Sequence, residues 1–105
     1  MICAEFFNEK GVLIGFRING HSGAAGKGDD IVCAAVSSAA YLTANTVTDV
    51  VGAEADVKVK DGYMELRISG KNAAECMVPL KGFRLHMEEL QKQYSKYLYV
   101  HDTEV

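Results

Sequence analysis

The dipeptide Asp61-Gly62 separates two stretches of alternating polarity, 54–60 (EADVKVK) and 63–69 (YMELRIS). An Asp-Gly pair flanked in this way is the strongest short-range mark of a β-hairpin, because glycine supplies the positive φ that a tight turn needs. Val57 and Val59 then share a face with Met64, Leu66 and Ile68 of the partner strand. A second hairpin is predicted at the start of the chain, where 2–8 (ICAEFFN) and 12–18 (VLIGFRI) flank a turn that ends on Gly11.

A helical pattern follows each hairpin. After the first, Ile31, Val32, Ala35, Val36, Ala39, Ala40, Val47, Val50 and Val51 recur at helical spacing. Asp30 is the expected N-cap, its carboxylate accepting from an otherwise unpaired N–H, and Gly52 suits the far end. After the second hairpin, Asn72 through Glu75 resembles a capping box opening a helix to about Tyr97. Pro79 should kink that helix or mark its true first turn. Leu80, Phe83, Leu85, Met87, Leu90 and Tyr94 form its apolar face, and 98–101 (LYVH) is a candidate short last strand. The order β-β-α-β-β-α(-β) predicts an α+β two-layer sandwich: a mostly antiparallel sheet with two helices packed on it, one domain over residues 1–105.

Composition narrows the function classes. With 49% hydrophobic and 24% charged residues, the chain is neither disordered, collagen-like nor a coiled coil. No uninterrupted apolar run approaches the roughly 18 residues of a membrane span, and no secretory signal is visible after Met1. The net charge of −3, without a basic stripe, argues against direct nucleic-acid binding and weakly favours a basic protein partner. Three cysteines (Cys3, Cys33 and Cys76) with no C-x-x-C pair make neither a disulfide framework nor a zinc site, so no metal is expected. Reduced thiols without a signal point to a cytosol.

The chemistry concentrates between the first hairpin and the first helix. Residues 19–29 (NGHSGAAGKGD) hold four glycines and no large apolar residue, which reads as a loop able to admit a ligand backbone. A phosphate cradle is excluded, because neither the Walker nor the G-x-G-x-x-G spacing occurs. With the N-cap at Asp30, Cys33 falls in the first helical turn, where unpaired N–H groups favour a thiolate and an oxyanion. His21, at the end of the second strand, is a candidate base for that thiol. Asp30 either orients His21 or only caps the helix, and Ser37 lies one turn beyond Cys33 on its face. The plain alternatives are a small buried hydrophobe at Cys33 and a turn residue at His21. Cys3 and Cys76 read as structural, His86 and His101 as surface or packing residues, and Tyr94, Tyr97 and Tyr99 as core or interface aromatics.

Gly20-His21-Ser22-Gly23, then Gly28, then Asp30-Ile31-Val32-Cys33-Ala34-Ala35-Val36-Ser37 resembles the signature of the ribosomal-processing cysteine protease family Prp. The motif covers 18 residues, and the element order agrees along the chain. The resemblance implies a bacterial cytoplasmic endopeptidase. It would remove the N-terminal extension of a large-subunit ribosomal protein (number twenty-seven in the bacterial series), cutting after an aromatic residue. It further implies a homodimer with no metal or organic cofactor, a basic ribosomal precursor as partner, and no nucleic-acid or membrane partner. By position, Cys33 inherits the nucleophile role and His21 the general-base role. Asp30 and Ser37 inherit supporting roles, and Gly20, Ser22, Gly23, Gly26 and Gly28 belong to the substrate loop. Segment 24–27 (Ala-Ala-Gly-Lys) departs from the family in lacking bulky residues. Two other readings are a non-enzymatic ribosome-associated binding module with an inert Cys33, and a redox or metal-responsive protein. The latter lacks a resolving cysteine and has too few ligands.

Overall fold

The computed structural model describes residues 1–20 and 27–105, and for 27–30 the backbone path alone. Seven main elements follow one another: β1 (Ile2–Glu9), β2 (Val12–Asn19), α1 (Lys27–Asn45), β3 (Ala55–Lys60), β4 (Tyr63–Ile68), α2 (Ala73–Gln93) and β5 (Leu98–Glu104). The strands form one sheet in the order β3-β4-β2-β1-β5. All neighbours are antiparallel except β1 and β5, which run parallel.

Both hairpins form where the sequence places them. The first turns on Lys10 and Gly11, both in the left-handed region at φ 51° and 79°, as a tight turn between right-twisted strands requires. A carboxylate oxygen of Glu104 accepts from the Lys10 N–H at 2.9 Å, tying this turn to the end of β5. In the second hairpin Val57 pairs with Leu66 and Val59 with Met64, as expected, and Gly62 takes the positive φ.

The two helices cover one face of the sheet. On that face Ile2, Ala4 and Phe6 of β1, Phe16 and Ile18 of β2, and Met64, Leu66 and Ile68 of β4 are buried against Val32, Val36 and Ala40 of α1 and Leu80, Phe83 and Met87 of α2. Phe83 meets Phe16 and Phe6 edge-on, with ring centres 4.7 and 5.5 Å apart. Each such pair adds roughly 0.5–1.5 kcal/mol beyond area burial. Among the described residues no helix or strand lies over the opposite face. Charge alternates along one row of it, where Arg17 pairs in register with Glu65 on one side and Glu5 on the other. Arg17 Nε donates to Glu5 at 2.9 Å, Tyr63 donates to Glu65 at 2.7 Å, and the Arg67 guanidinium lies 4.0 Å from the centre of the buried Phe7 ring. Burial pushes the Glu5 carboxyl up, but hydrogen bonds from Thr103 and Arg17 outweigh it and hold the group below its usual range.

Several expectations need correction. The first helix begins at Lys27, not after Asp30, so Gly28 is helical rather than part of the loop. No proline blocks the path, and two acidic residues in a first turn suit the positive end of the helix dipole. At its other end Thr46–Val51 continue as a π-helical turn, closed by Gly52 at φ 78°. Ile31–Val51 is 21 residues, long and apolar enough to cross a membrane, which a count of uninterrupted apolar runs does not reveal. Its apolar stripe, Val32, Val36, Ala40 and Val47, faces the core, while Ile31 and Val50 are exposed. No capping box forms at α2. A 3-10 turn (Gly70–Asn72) leads in, and the Asn72 amide donates to the Ser69 hydroxyl instead. Pro79 lies inside α2, which ends at Gln93, and Leu85 is exposed rather than part of the apolar face. The last strand reaches Glu104 and lies beside β1.

Candidate active site

A cavity of about 520 Å³ opens between α1 and the β3–β4 hairpin. Cys33, Val36, Ser37, Ala40 and Tyr41 form its α1 wall, at the spacing of one helical face. Val59 through Met64, the tip of the second hairpin, form the opposite wall, and Ile2 and Ile18 contribute from the sheet. Apolar residues make up much of this lining, and Cys33, Ser37 and Tyr41 bring polar side-chain atoms to its α1 wall. Cys33 is half-buried and in no disulfide, whereas Cys76 is fully buried in the core.

Gly20 completes the cavity and explains its position. Its φ of 109° turns the chain off the end of β2, and a Cβ there would stand 2.6 Å from the Met1 carbonyl oxygen, so a side chain does not fit. The Gly20 N–H donates to the Gly62 carbonyl at 3.0 Å. This bond clamps the hairpin tip to the end of β2 and fixes the width of the cavity.

Of the site residues predicted from sequence, the structure brings Gly20, Cys33 and Ser37 to one cavity. His21, Ser22, Gly23 and Gly26 lie outside the described residues. Asp30 is the fourth residue of α1 rather than its cap, and Gly28 is the second. Cys33 consequently sits in the second turn, beyond the unbonded N–H groups of the helix mouth. The dipole field falls off within the first turn, and Cys33 stands one turn further along than its expected place. Tyr41 and the hairpin tip escaped the sequence reading. Tyr41 was legible in principle, because Cys33, Ser37 and Tyr41 recur at i, i+4 and i+8. The hairpin tip was not, because only the folded sheet brings it to α1. Among the described residues no group of three or more His, Cys, Asp or Glu side chains is placed to hold a metal ion.

A half-buried cysteine on the wall of a partly apolar cavity suits a thiol acting on a peptide, and comparison with known families identifies the class. The model of the family described as cysteine protease Prp matches residues 1–99. The chain belongs to the cysteine protease Prp family. It is a cysteine protease. Solved structures agree in fold. SMU.848 from Streptococcus mutans superposes with a TM-score of 0.87 at 26% identity, over 100% of this chain and 96% of that one. The ribosomal processing protease Prp of Staphylococcus aureus, in complex with a substrate peptide, gives 0.87 at 20% identity, over 98% and 100%. The same S. aureus protease with a covalently linked product peptide gives 0.85 at 21% identity, over the same shares. No curated protein sequence matches the chain significantly.

Proposed function

We propose that this Prp family member removes the N-terminal extension of a large-subunit ribosomal protein, number twenty-seven in the bacterial series, through a Cys33–His21 dyad. The observation that carries the proposal is the meeting of Cys33 and Gly20 on one cavity, since Gly20 immediately precedes His21 in the chain. The S. aureus relative is a ribosomal processing protease solved with substrate and product peptides, which supports the same substrate class here.

In this mechanism His21 takes the proton from the Cys33 thiol, and the sulfur attacks the scissile carbonyl carbon. The tetrahedral intermediate collapses to a thioester as the peptide nitrogen leaves with the proton returned by the imidazolium. Water, deprotonated by His21, then attacks the thioester, releasing the acid and restoring the thiol. Because Cys33 lies past the helix mouth, the imidazole supplies its activation. Ser37 would hydrogen-bond within the site, and Asp30 would orient His21. Gly20, with Ser22, Gly23 and Gly26, would contact the peptide backbone. The apolar cavity walls suit an aromatic residue before the cut. The enzyme is further proposed to work as a homodimer in the bacterial cytoplasm. The exposed Leu42 and Val78, on the groove between the two helices, offer an apolar surface for pairing.

Incubating the full-length ribosomal precursor with wild type, Cys33→Ala and His21→Ala tests this reading. Cleavage by the wild type alone is expected, with each variant slower by roughly 10³-fold or more. Equal cleavage by all three rejects the dyad.

A further inference from the structure

β3 is an edge strand, and its register decides which backbone groups it leaves for another chain. The two-residue turn at Asp61-Gly62 makes Lys60 and Tyr63 the hydrogen-bonded closing pair. In an antiparallel ladder such pairs alternate, so Lys58 and Asp56 also direct their backbone groups to β4. The N–H and C=O groups of Val57 and Val59 therefore point outward, and among the described residues no strand pairs with that side. The side chains of these two valines lie on the helix-covered face, opposite the buried Leu66 and Met64, yet they remain 41% and 50% exposed. Lysines often guard an edge. Here Lys58 and Lys60 project from the opposite face, in register with Glu65 and Tyr63, and do not guard the valine side.

The edge runs directly into the cavity, because Val59 and Lys60 form part of the wall opposite Cys33. A protease must hold its substrate extended, so that one carbonyl meets the sulfur while the neighbouring residues pair with a fixed strand. We infer that the polypeptide substrate adds as a sixth strand to the outer edge of β3, bonding the backbone of Val57 and Val59 and laying alternate side chains over those valines toward Tyr41. The inference rests on the protease reading above and specifies how the substrate is held. Strand addition reads main chain first and side chains at every second position, so it tolerates sequence changes away from the cut.

Amide hydrogen exchange tests it directly. The Cys33→Ala variant keeps a bound peptide intact, and the probe is a synthetic peptide spanning the junction between extension and mature protein. The Val57 and Val59 amides should exchange quickly in the unbound variant and at least tenfold more slowly with peptide bound, while those of Lys58 and Lys60 are slow throughout. Val57→Pro removes one outward N–H without breaking a ladder bond, as an edge position permits. It should weaken binding roughly three- to tenfold, the worth of one hydrogen bond. N-methylation of the peptide should weaken binding at alternate residues only. Peptide that fails to bind, or binds without slowing Val57 and Val59, overturns the inference. If wild type cleaves the junction without that protection, the protease reading stands and strand addition falls. Protection without wild-type cleavage of the junction leaves strand addition standing and removes the processing role.

Discussion

Cys33 and Cys76 both stand near the start of a helix, and they have opposite fates. Cys76 is the fourth residue of α2 and so lies nearer its helix mouth than Cys33, the seventh residue of α1. Yet Cys76 is sealed in the core. Burial, and then the charge of Glu75, push its thiol above the ordinary value of 9.0. Cys33 instead is half-buried on the wall of a cavity of about 520 Å³. Position along a helix therefore does not decide which thiol opens onto a cavity. The decision rests on what the rest of the fold places in front of the sulfur, which here is the Gly20 turn and the tip of the second hairpin.

The contrast breaks most easily by alkylation. In native protein at neutral pH, iodoacetamide should modify Cys33 at least roughly 10³-fold faster than Cys76, because Cys76 is reached only through opening of the core. Peptide mapping after timed quenching reads the two rates, and comparable rates would erase the distinction. Stability should divide the pair next. Cys76→Ser puts a hydroxyl among apolar neighbours and should cost about 1–3 kcal/mol, seen as a lower urea midpoint with an unchanged slope. Cys33→Ser, open to the cavity, should shift the midpoint by no more than about 0.5 kcal/mol.

The smallest effect is on alkaline stability. Cys76 stays protonated in the fold at pH values where the unfolded chain loses that proton. Its contribution is thus complete below pH 9.0 and declines as pH rises above it. Between pH 8 and 10, wild type should lose stability more steeply than Cys76→Ala, by at most about 1.4 kcal/mol per pH unit. Parallel urea midpoints for the two proteins across that range would remove Cys76 as a cause.

Local pattern carried much of this molecule. Alternation around Asp61-Gly62 located a hairpin down to its register, and the i, i+4 spacing of Cys33 and Ser37 placed both on one helical face. Local pattern failed where the deciding partner is distant. The glycines at 26 and 28 read as loop, although Gly28 is helical. Residues 98–104 carried no turn or partner nearby that could announce a parallel strand, since β1 lies at the other end of the sequence. The cavity escaped for the same reason: Tyr41, Val59 and Gly62 become neighbours only once β4 pairs with β2 and α1 crosses above them.

The pairing of β1 with β5 ties the cavity to residues at the far end of the sequence. Ile2 lines the cavity, its N–H donates to the Tyr97 carbonyl at 2.8 Å, and the following residues of β1 lie against 98–104. A change in β5 should therefore be felt at the cavity through β1, although β5 itself lines no part of it.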